Sequence, residues 1–423
     1  TLSLHDALPI YLVEEAQAKK APTQSFVEKF ARYYTPSVVV LALFIAIIPP
    51  LFLGGVFMEW LYRSLVLLVI SCPCALVIST PVTIVSGLTN AARNGILIKG
   101  GAYLENFASL KVLAFDKTGT LTVGKPTVQR LIPVNQHSDE KLLQIAASLE
   151  MHSEHPIADA ITEYSKKNAG ALMIVENFEA IPGKGIRGQI NGEQYYVGNH
   201  RFFHENDWCQ DEVHDLLIEI EQQQFTTVVV GNGKSLLGII TLADAVRANA
   251  KQAIENLHRT GIDKIIMLTG DNEKTAEAIA NKIELDEFRA GLLPEDKAAV
   301  IRQLRNDYRH IAMVGDGIND APALATATIG ISMGYSGTDT ALETADIALM
   351  KDDLSKLPFL KRLSKRTVAI IKQNIFIALF LKAIFVVLAI PGLATLWMAV
   401  FADMGASLIV VTNGLRALKS PNT

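Results

Sequence analysis

Four long apolar runs set the hardest limit on what this chain can fold into. They cover residues 36–53, 60–84, 369–390 and 393–415, each near the roughly 20 residues that a helix needs to cross the hydrocarbon of a bilayer. Inside hydrocarbon every backbone N–H and C=O must find its partner within the chain, so such runs are helices or they are not spans at all. Half of the 423 residues are hydrophobic, and the excess sits in these end regions, while residues 90–366 read as ordinary soluble α/β sequence. The formal net charge of −4 gives no footprint for nucleic acid. Lys and Arg are distributed asymmetrically. Lys19, Lys20, Lys29 and Arg32 precede the first run, and Arg93 and Lys99 follow the second. Lys361, Arg362, Lys365, Arg366 and Lys372 precede or open the third, and Arg416 and Lys419 end the fourth, whereas the loops 54–59 and 391–395 carry neither residue. The positive-inside rule then places both termini and the polar middle in the cytoplasm, with four spans in the membrane; buried core helices would show no such asymmetry.

The polar middle divides. Apolar runs that end on polar, glycine-rich tips recur at 112–115, 265–268 and 311–314, with a weaker one at 327–331. Helical stretches alternate with them, which predicts a doubly wound parallel sheet. A segment at 128–240 interrupts this pattern and has β-rich character at 188–197, 226–230 and 236–241, predicting an inserted α+β domain. The expected organisation is a lead-in at 1–35, a helix pair at 36–88, α/β sequence at 89–127 and 241–366 around the insertion at 128–240, a second helix pair at 367–416 and a tail at 417–423.

Asp116 stands at the tip of the first apolar strand, in Asp116-Lys117-Thr118-Gly119-Thr120-Leu121-Thr122. An acid there faces the crevice where open α/β sheets bind ligands, and a carboxylate is a competent nucleophile toward a phosphoryl group. Gly119 permits a sharp turn, and the turn's N–H groups suit an anion. Three further motifs follow in order: Thr269-Gly270-Asp271 at a strand end, Lys297 near a helix start, and Asp316-Gly-Ile-Asn319-Asp320 at another strand end. A cation such as Lys297 stabilises a transferring phosphoryl, and the carboxylates suit Mg²⁺. A P-loop of the G-x-x-x-x-G-K-[ST] kind is absent.

The heptapeptide at 116–122 resembles the phosphorylation motif of P-type ATPases, ion pumps built on the haloacid-dehalogenase, Rossmann-like fold. The resemblance implies that Asp116 is the phosphorylated nucleophile, that Asp116, the Thr118 carbonyl and Asp316 hold Mg²⁺, and that Thr269, Gly270 and Lys297 contact the phosphoryl group. Lys117, Asp271, Asn319 and Asp320 support them. Glu150, Ser153-Glu-His155-Pro156 and Gly183-Lys-Gly185 are similar to the nucleotide-binding domain of the heavy-metal pumps. That similarity implies that His155 stacks on adenine, Glu150 bonds the base, and Gly183 and Gly185 let the backbone approach ATP; a lone His before Pro otherwise reads as a helix start.

Cys72-Pro73-Cys74 lies inside the second apolar run. Proline removes a helical hydrogen bond and opens the helix. Two thiolates beside that break suit Cu⁺, Zn²⁺ or Cd²⁺ rather than Na⁺, Ca²⁺ or Mg²⁺. Lys382 and Asp403 stand in the third and fourth runs, where ionisable groups are costly and point to function. A carboxylate beside two thiolates is better for Zn²⁺ or Cd²⁺ than for Cu⁺, with Lys382 as the counter-charge of Asp403. The pattern is similar to the zinc/cadmium/lead branch of the pumps; copper pumps carry Tyr-Asn and Met-Ser features in these helices instead. Three cysteines imply no disulfide framework, and Cys209 reads as a packed or surface thiol.

The chain departs from the family in lacking a Thr-Gly-Glu motif and the actuator domain that carries it, and residues 1–10 fit nothing expected before residue 11. The expectation is an N-terminally truncated or mis-joined pump with a foreign first segment and poor turnover. The expected function is export of Zn²⁺, Cd²⁺ or Pb²⁺ by a monomeric integral protein of the plasma (inner) membrane, driven by ATP through an aspartyl phosphate. A copper pump, a membrane-tethered phosphatase of the dehalogenase type and a non-catalytic metal-binding remnant are the alternatives.

Overall fold

A computed structural model describes residues 21–420 except 53, 154, 182–183, 207, 210, 223–224, 272, 318–319, 335–344 and 390–391. The readings made of residues 1–10, Gly183 and Asn319 lie outside the described residues. The strands, in chain order, are β1 (Ile96–Ile98), β2 (Val112–Asp116), β3 (Thr122–Pro133), β4 (Glu176–Ile181), β5 (Gly185–Ile190), β6 (Glu193–Gly198), β7 (Thr226–Gly231) and β8 (Leu236–Val246). They continue with β9 (Lys264–Leu268), β10 (Glu287–Arg289), β11 (Ile311–Gly315), β12 (Ile329–Met333) and β13 (Ile347–Leu349). They form two sheets, one of seven strands in the order β1-β13-β12-β11-β2-β9-β10 and one of six in the order β3-β8-β7-β6-β5-β4.

The chain separates into two compact units, one with the described residues up to Ala114, Lys251–Ile266 and those from Pro294 on, the other with Phe115–Ala250 and Met267–Leu293. In the first, β12 pairs parallel with both β11 and β13, and β1 closes that edge antiparallel to β13. Strands β11 and β12 are buried throughout, as expected where a parallel sheet is covered on both faces.

Among its described residues the same unit holds four helices long and apolar enough to cross a membrane, at Pro22–Phe52, Phe57–Arg93, Lys356–Ala389 and Leu396–Leu418. The first begins well before residue 36, so residues 22–35 of the stretch read as a lead-in are helix; Pro36 is accommodated inside it. The second is two helices, Phe57–Ile70 and Cys74–Arg93, parted at Ser71-Cys72-Pro73. Polar side chains join the last three spans. Asn374, fully buried, donates to the Val410 carbonyl at 3.0 Å and accepts from Asn413 at 2.8 Å. A Cβ on Gly414 would stand 2.7 Å from the Thr83 hydroxyl. Close backbone approach and interhelical hydrogen bonds are how helices associate where lipid is as apolar as leucine.

Lys361, counted above among the cytoplasmic charges, is buried. Its Nζ donates to the carbonyls of Phe107, Ala108 and Leu110 at 3.1, 3.0 and 2.5 Å, which caps the C-terminus of helix Gly101–Ser109. Helix ends leave carbonyls without intrahelical donors, and a buried ammonium satisfies three here. Arg362, Lys365, Arg366 and Lys372 maintain the charge asymmetry without it.

In the second unit the six-stranded sheet starts at Thr122 and ends at Val246, several residues beyond the expected insertion on either side. Strand β3 pairs antiparallel with β8. Side chains of β7 alternate between two cores: Val228 and Val230 pack with Leu142, Ile145 and Ile186, and Val229 packs with Phe203, Leu217 and Ile239. Burial on both faces explains why 226–230 reads as an unbroken apolar run. The run at 188–197 is a hairpin, turning at Asn191-Gly192 with both residues at positive φ, the conformation that Asn-Gly favours in a two-residue turn.

Candidate functional site

In the second unit, Asp116 ends β2 and is 5% exposed. The chain then turns through Thr118 in an extended conformation and Gly119 at φ +69°. A Cβ on Gly124 would stand 2.9 Å from the Gly119 Cα, so the turn is packed against the start of β3. Two residues that the sequence reading did not single out hold it. Arg247 donates from Nε to the Thr120 carbonyl and from Nη2 to the Gly119 carbonyl, both at 2.9 Å. Asp244 accepts from the Thr122 hydroxyl at 2.5 Å and from the Gly124 N–H at 2.8 Å. Both sit at the end of β8, more than a hundred residues away in sequence, and nothing local marks them. The turn's backbone is thereby fixed by charged groups on both sides of Asp116's loop.

Lys117 reaches Asp271 at 2.6 Å, so the structure brings the first and second motifs together. The Thr269 hydroxyl accepts from the Asp271 N–H at 3.1 Å and is 2% exposed as a residue, while Gly270 is exposed. An ammonium between two motif segments both positions the backbone and supplies positive charge.

Glu150 ends helix Asp139–Glu150 and is 7% exposed. Burial pushes its carboxyl up to about 7, with a hydrogen bond from Ser153 acting weakly the other way. The Ser153 hydroxyl also accepts from the His155 N–H at 3.3 Å. His155 is the N-cap of helix Pro156–Asn168; its Nδ1 accepts from the Ile157 N–H at 3.2 Å, and the residue is exposed. The helix-start reading and the ligand reading thus coexist, since the cap engages one ring nitrogen. Gly185 serves a neighbouring strand: a Cβ there would meet the Val197 carbonyl at 2.2 Å. The close approach that requires glycine is therefore to β6.

The raised Glu150 carboxyl carries a consequence for stability. Its ordinary value is 4.5; between there and about 7 the unfolded chain releases the proton and the folded chain keeps it. Stability therefore falls as pH rises through this window. Glu150→Gln is expected to match the parent near pH 4.5 and to exceed it at pH 8 by on the order of 2–3 kcal/mol, read from thermal unfolding at the two pH values. Equal differences at both would refute this.

In the first unit, Lys297 and Asp320 form an ion pair at 2.7 Å, with side chains 8% and 1% exposed. Asp316 follows the end of β11, half-buried, before Gly317 at φ +81°. The oxygen donors proposed for Mg²⁺ are of the right kind in each unit: Asp116 and the Thr118 carbonyl in one, Asp316 in the other. Mg²⁺ takes few protein oxygens and keeps water or phosphate for the rest.

In the membrane helices Lys382 links the break in the second span to Asp403. Parting of the second span leaves carbonyls without helical donors, and Lys382 donates to those of Ile70, at 3.2 Å, and Cys72. Its Nζ is 3.8 Å from Asp403. Lys382 is thus more than a counter-charge; it also caps the break. Beside it, Lys382, Asp403, Ile70, Phe385 and Ala402 line a cavity of about 20 Å³, room for roughly one water-sized guest. Cys72 and Cys74 are joined as a disulfide, Cα atoms 5.5 Å apart, which corrects the expectation of two thiolates. The thiolate pair is the reduced form of this site.

The parallel sheet with acids at its strand ends defines a class: the family model of the haloacid dehalogenase-like hydrolases matches residues 110–328. Similarity extends over nearly all of the chain. A probable cadmium-transporting ATPase of Alkalihalophilus pseudofirmus is 50% identical over 97% of this chain and 57% of its own length. A zinc/cadmium/lead-transporting P-type ATPase of Escherichia coli is 46% identical over 96% of this chain and 54% of its own. The crystal structure of a zinc-transporting PIB-type ATPase in its E2·Pi state superposes with a TM-score of 0.83 at 46% identity, covering 97% of this chain and 66% of that one. The chain belongs to the heavy-metal-transporting P-type ATPases. It spans little more than half the length of the curated relatives it matches.

Proposed function

We propose that the chain carries the catalytic and metal-selecting parts of an ATP-driven exporter of Zn²⁺, Cd²⁺ or Pb²⁺. The observation that supports this reading is that Lys382 donates to the Cys72 carbonyl and stands 3.8 Å from Asp403 at the break that holds Cys72-Pro73-Cys74. Two thiolates and a carboxylate form a borderline donor set for d¹⁰ divalent cations. The Lys382 ammonium, 3.8 Å from Asp403, competes with the cation for that carboxylate, which favours release over trapping. The names of the relatives support the same cargo class.

In this reading an Asp116 carboxylate oxygen attacks the γ-phosphorus of ATP. The bond to the bridging oxygen breaks, ADP leaves, and the phosphoryl is held as an acyl phosphate on Asp116. Bound Mg²⁺ neutralises phosphate charge. Thr269 and the Gly270 N–H hold phosphoryl oxygens, and Lys117, anchored by Asp271, orients the turn. Lys297 offers positive charge, and Asn319 and Asp320 support it. Glu150 and His155 receive the base, and Gly183 lets the backbone approach the nucleotide. All these groups come from one chain, so a monomer suffices. Lys and Arg placement argues for both termini on the cytoplasmic side, and the membrane of this reading is the plasma membrane.

The test is phosphoenzyme formation from γ-labelled ATP in detergent, with reductant, across Zn²⁺, Cd²⁺, Pb²⁺ and Cu⁺. The expected result is hydroxylamine-labile labelling that rises with the divalent ions and not with Cu⁺. Stimulation by Cu⁺ alone would overturn the cargo assignment.

A further inference from the structure

We infer that His200, Cys209 and His214 form a second soft-metal site, in the six-stranded sheet's own unit and built from groups that the reaction above does not use. One ligand atom from each lies within 4.8 Å of the other two. In a tetrahedral site with Zn–N near 2.0–2.1 Å and Zn–S near 2.3 Å, ligand atoms stand roughly 3.3–3.8 Å apart, so small side-chain movements close the set. His200 Nε2 and His214 Nδ1 are 2.8 Å apart and share a hydrogen bond. A metal ion takes the place of that shared proton, and the Cys209 thiol gives its proton to solvent on binding.

The donors are held in place. His200 opens helix His200–Glu205, which is tied to the preceding turn by the Asn199 N–H to the Lys184 carbonyl at 3.0 Å and by the Lys184–Glu205 ion pair at 2.8 Å. His214 lies on helix Asp211–Gln222, and Cys209 packs against the core of Phe202, Phe203 and Leu217 from the connection between the helices. His204 stands one turn from His200 with its ring stacked on His214, centroids 4.6 Å apart, available as a fourth ligand in place of water. Two imidazoles and a thiolate select Zn²⁺ or Cd²⁺ over Mg²⁺ or Ca²⁺, which require oxygen. The sequence gives Cys209 only as a packed or surface thiol, because its partners lie on two helices at irregular spacing.

The experiment uses the full chain in detergent with Cys72→Ser and Cys74→Ser, so that Cys209 is the remaining thiol, titrated with Co²⁺ under reductant. A thiolate-to-cobalt charge-transfer band should saturate at one Co²⁺ per chain and be displaced by Zn²⁺. Cys209→Ser should abolish the band, and His214→Ala or His214→Gln should weaken Co²⁺ binding at least about tenfold. Absence of the band in the folded double-serine chain, checked by circular dichroism, would overturn the site. So would Co²⁺ affinity that neither the Cys209 nor the His214 variants change.

Discussion

Asp116→Asn is expected to abolish phosphoenzyme formation, lowering hydroxylamine-labile label from γ-labelled ATP by at least about 10³-fold. An amide is close in shape to a carboxylate but is no nucleophile toward phosphorus, and no neighbouring base restores it. The turn that follows should survive the change. Its backbone is held by Arg247 on the Gly119 and Thr120 carbonyls and by Asp244 on Thr122 and Gly124, none of which needs the Asp116 charge. Nucleotide binding, followed with a fluorescent ATP analogue, should therefore stay within a few fold of the parent. Label persisting in the variant would place the nucleophile elsewhere.

Cys72→Ser with Cys74→Ser is expected to remove Zn²⁺ and Cd²⁺ stimulation of that labelling. Serine oxygen is similar in size but hard and protonated at neutral pH, so two soft anionic donors are lost together. The shift in half-saturating metal should be at least about 100-fold, at the upper end of what loss of an outer-sphere partner alone produces. Reductant belongs in every sample, because the disulfide between Cys72 and Cys74 leaves no thiolate to donate. Lys382→Met in the parent background separates donor loss from helix packing. It leaves the Ile70 and Cys72 carbonyls without their ammonium donor and should lower stability without removing metal stimulation. Unchanged stimulation in the double serine variant would move the selecting site away from the second span.

Much of this protein is written in short patterns. Apolar runs bounded by Lys and Arg predict spans, because hydrocarbon accepts few alternatives to a helix. The apolar strand ending at Asp116 and the Gly-rich tip after it are likewise local, as are the strand ends at Thr269 and Asp316. Pro73 between two cysteines marks the place where the second span parts. These features depend on a few consecutive residues, so they survive being read one segment at a time.

Partner choice is different in kind. Lys117 and Asp271 are 154 positions apart and meet at 2.6 Å; Arg247 finds the Gly119 turn from the far end of β8. Lys361 looked like one more cytoplasmic charge until packing buried it under the last turn of helix Gly101–Ser109. Gly185 looked like room for a ligand and proved to be room for β6. His200, Cys209 and His214 have no motif, and two helices bring them together. In each case the outcome rests on which polar groups packing has removed from water. A buried carbonyl or charge takes the partner within about 3 Å, and no periodicity along the chain encodes that distance.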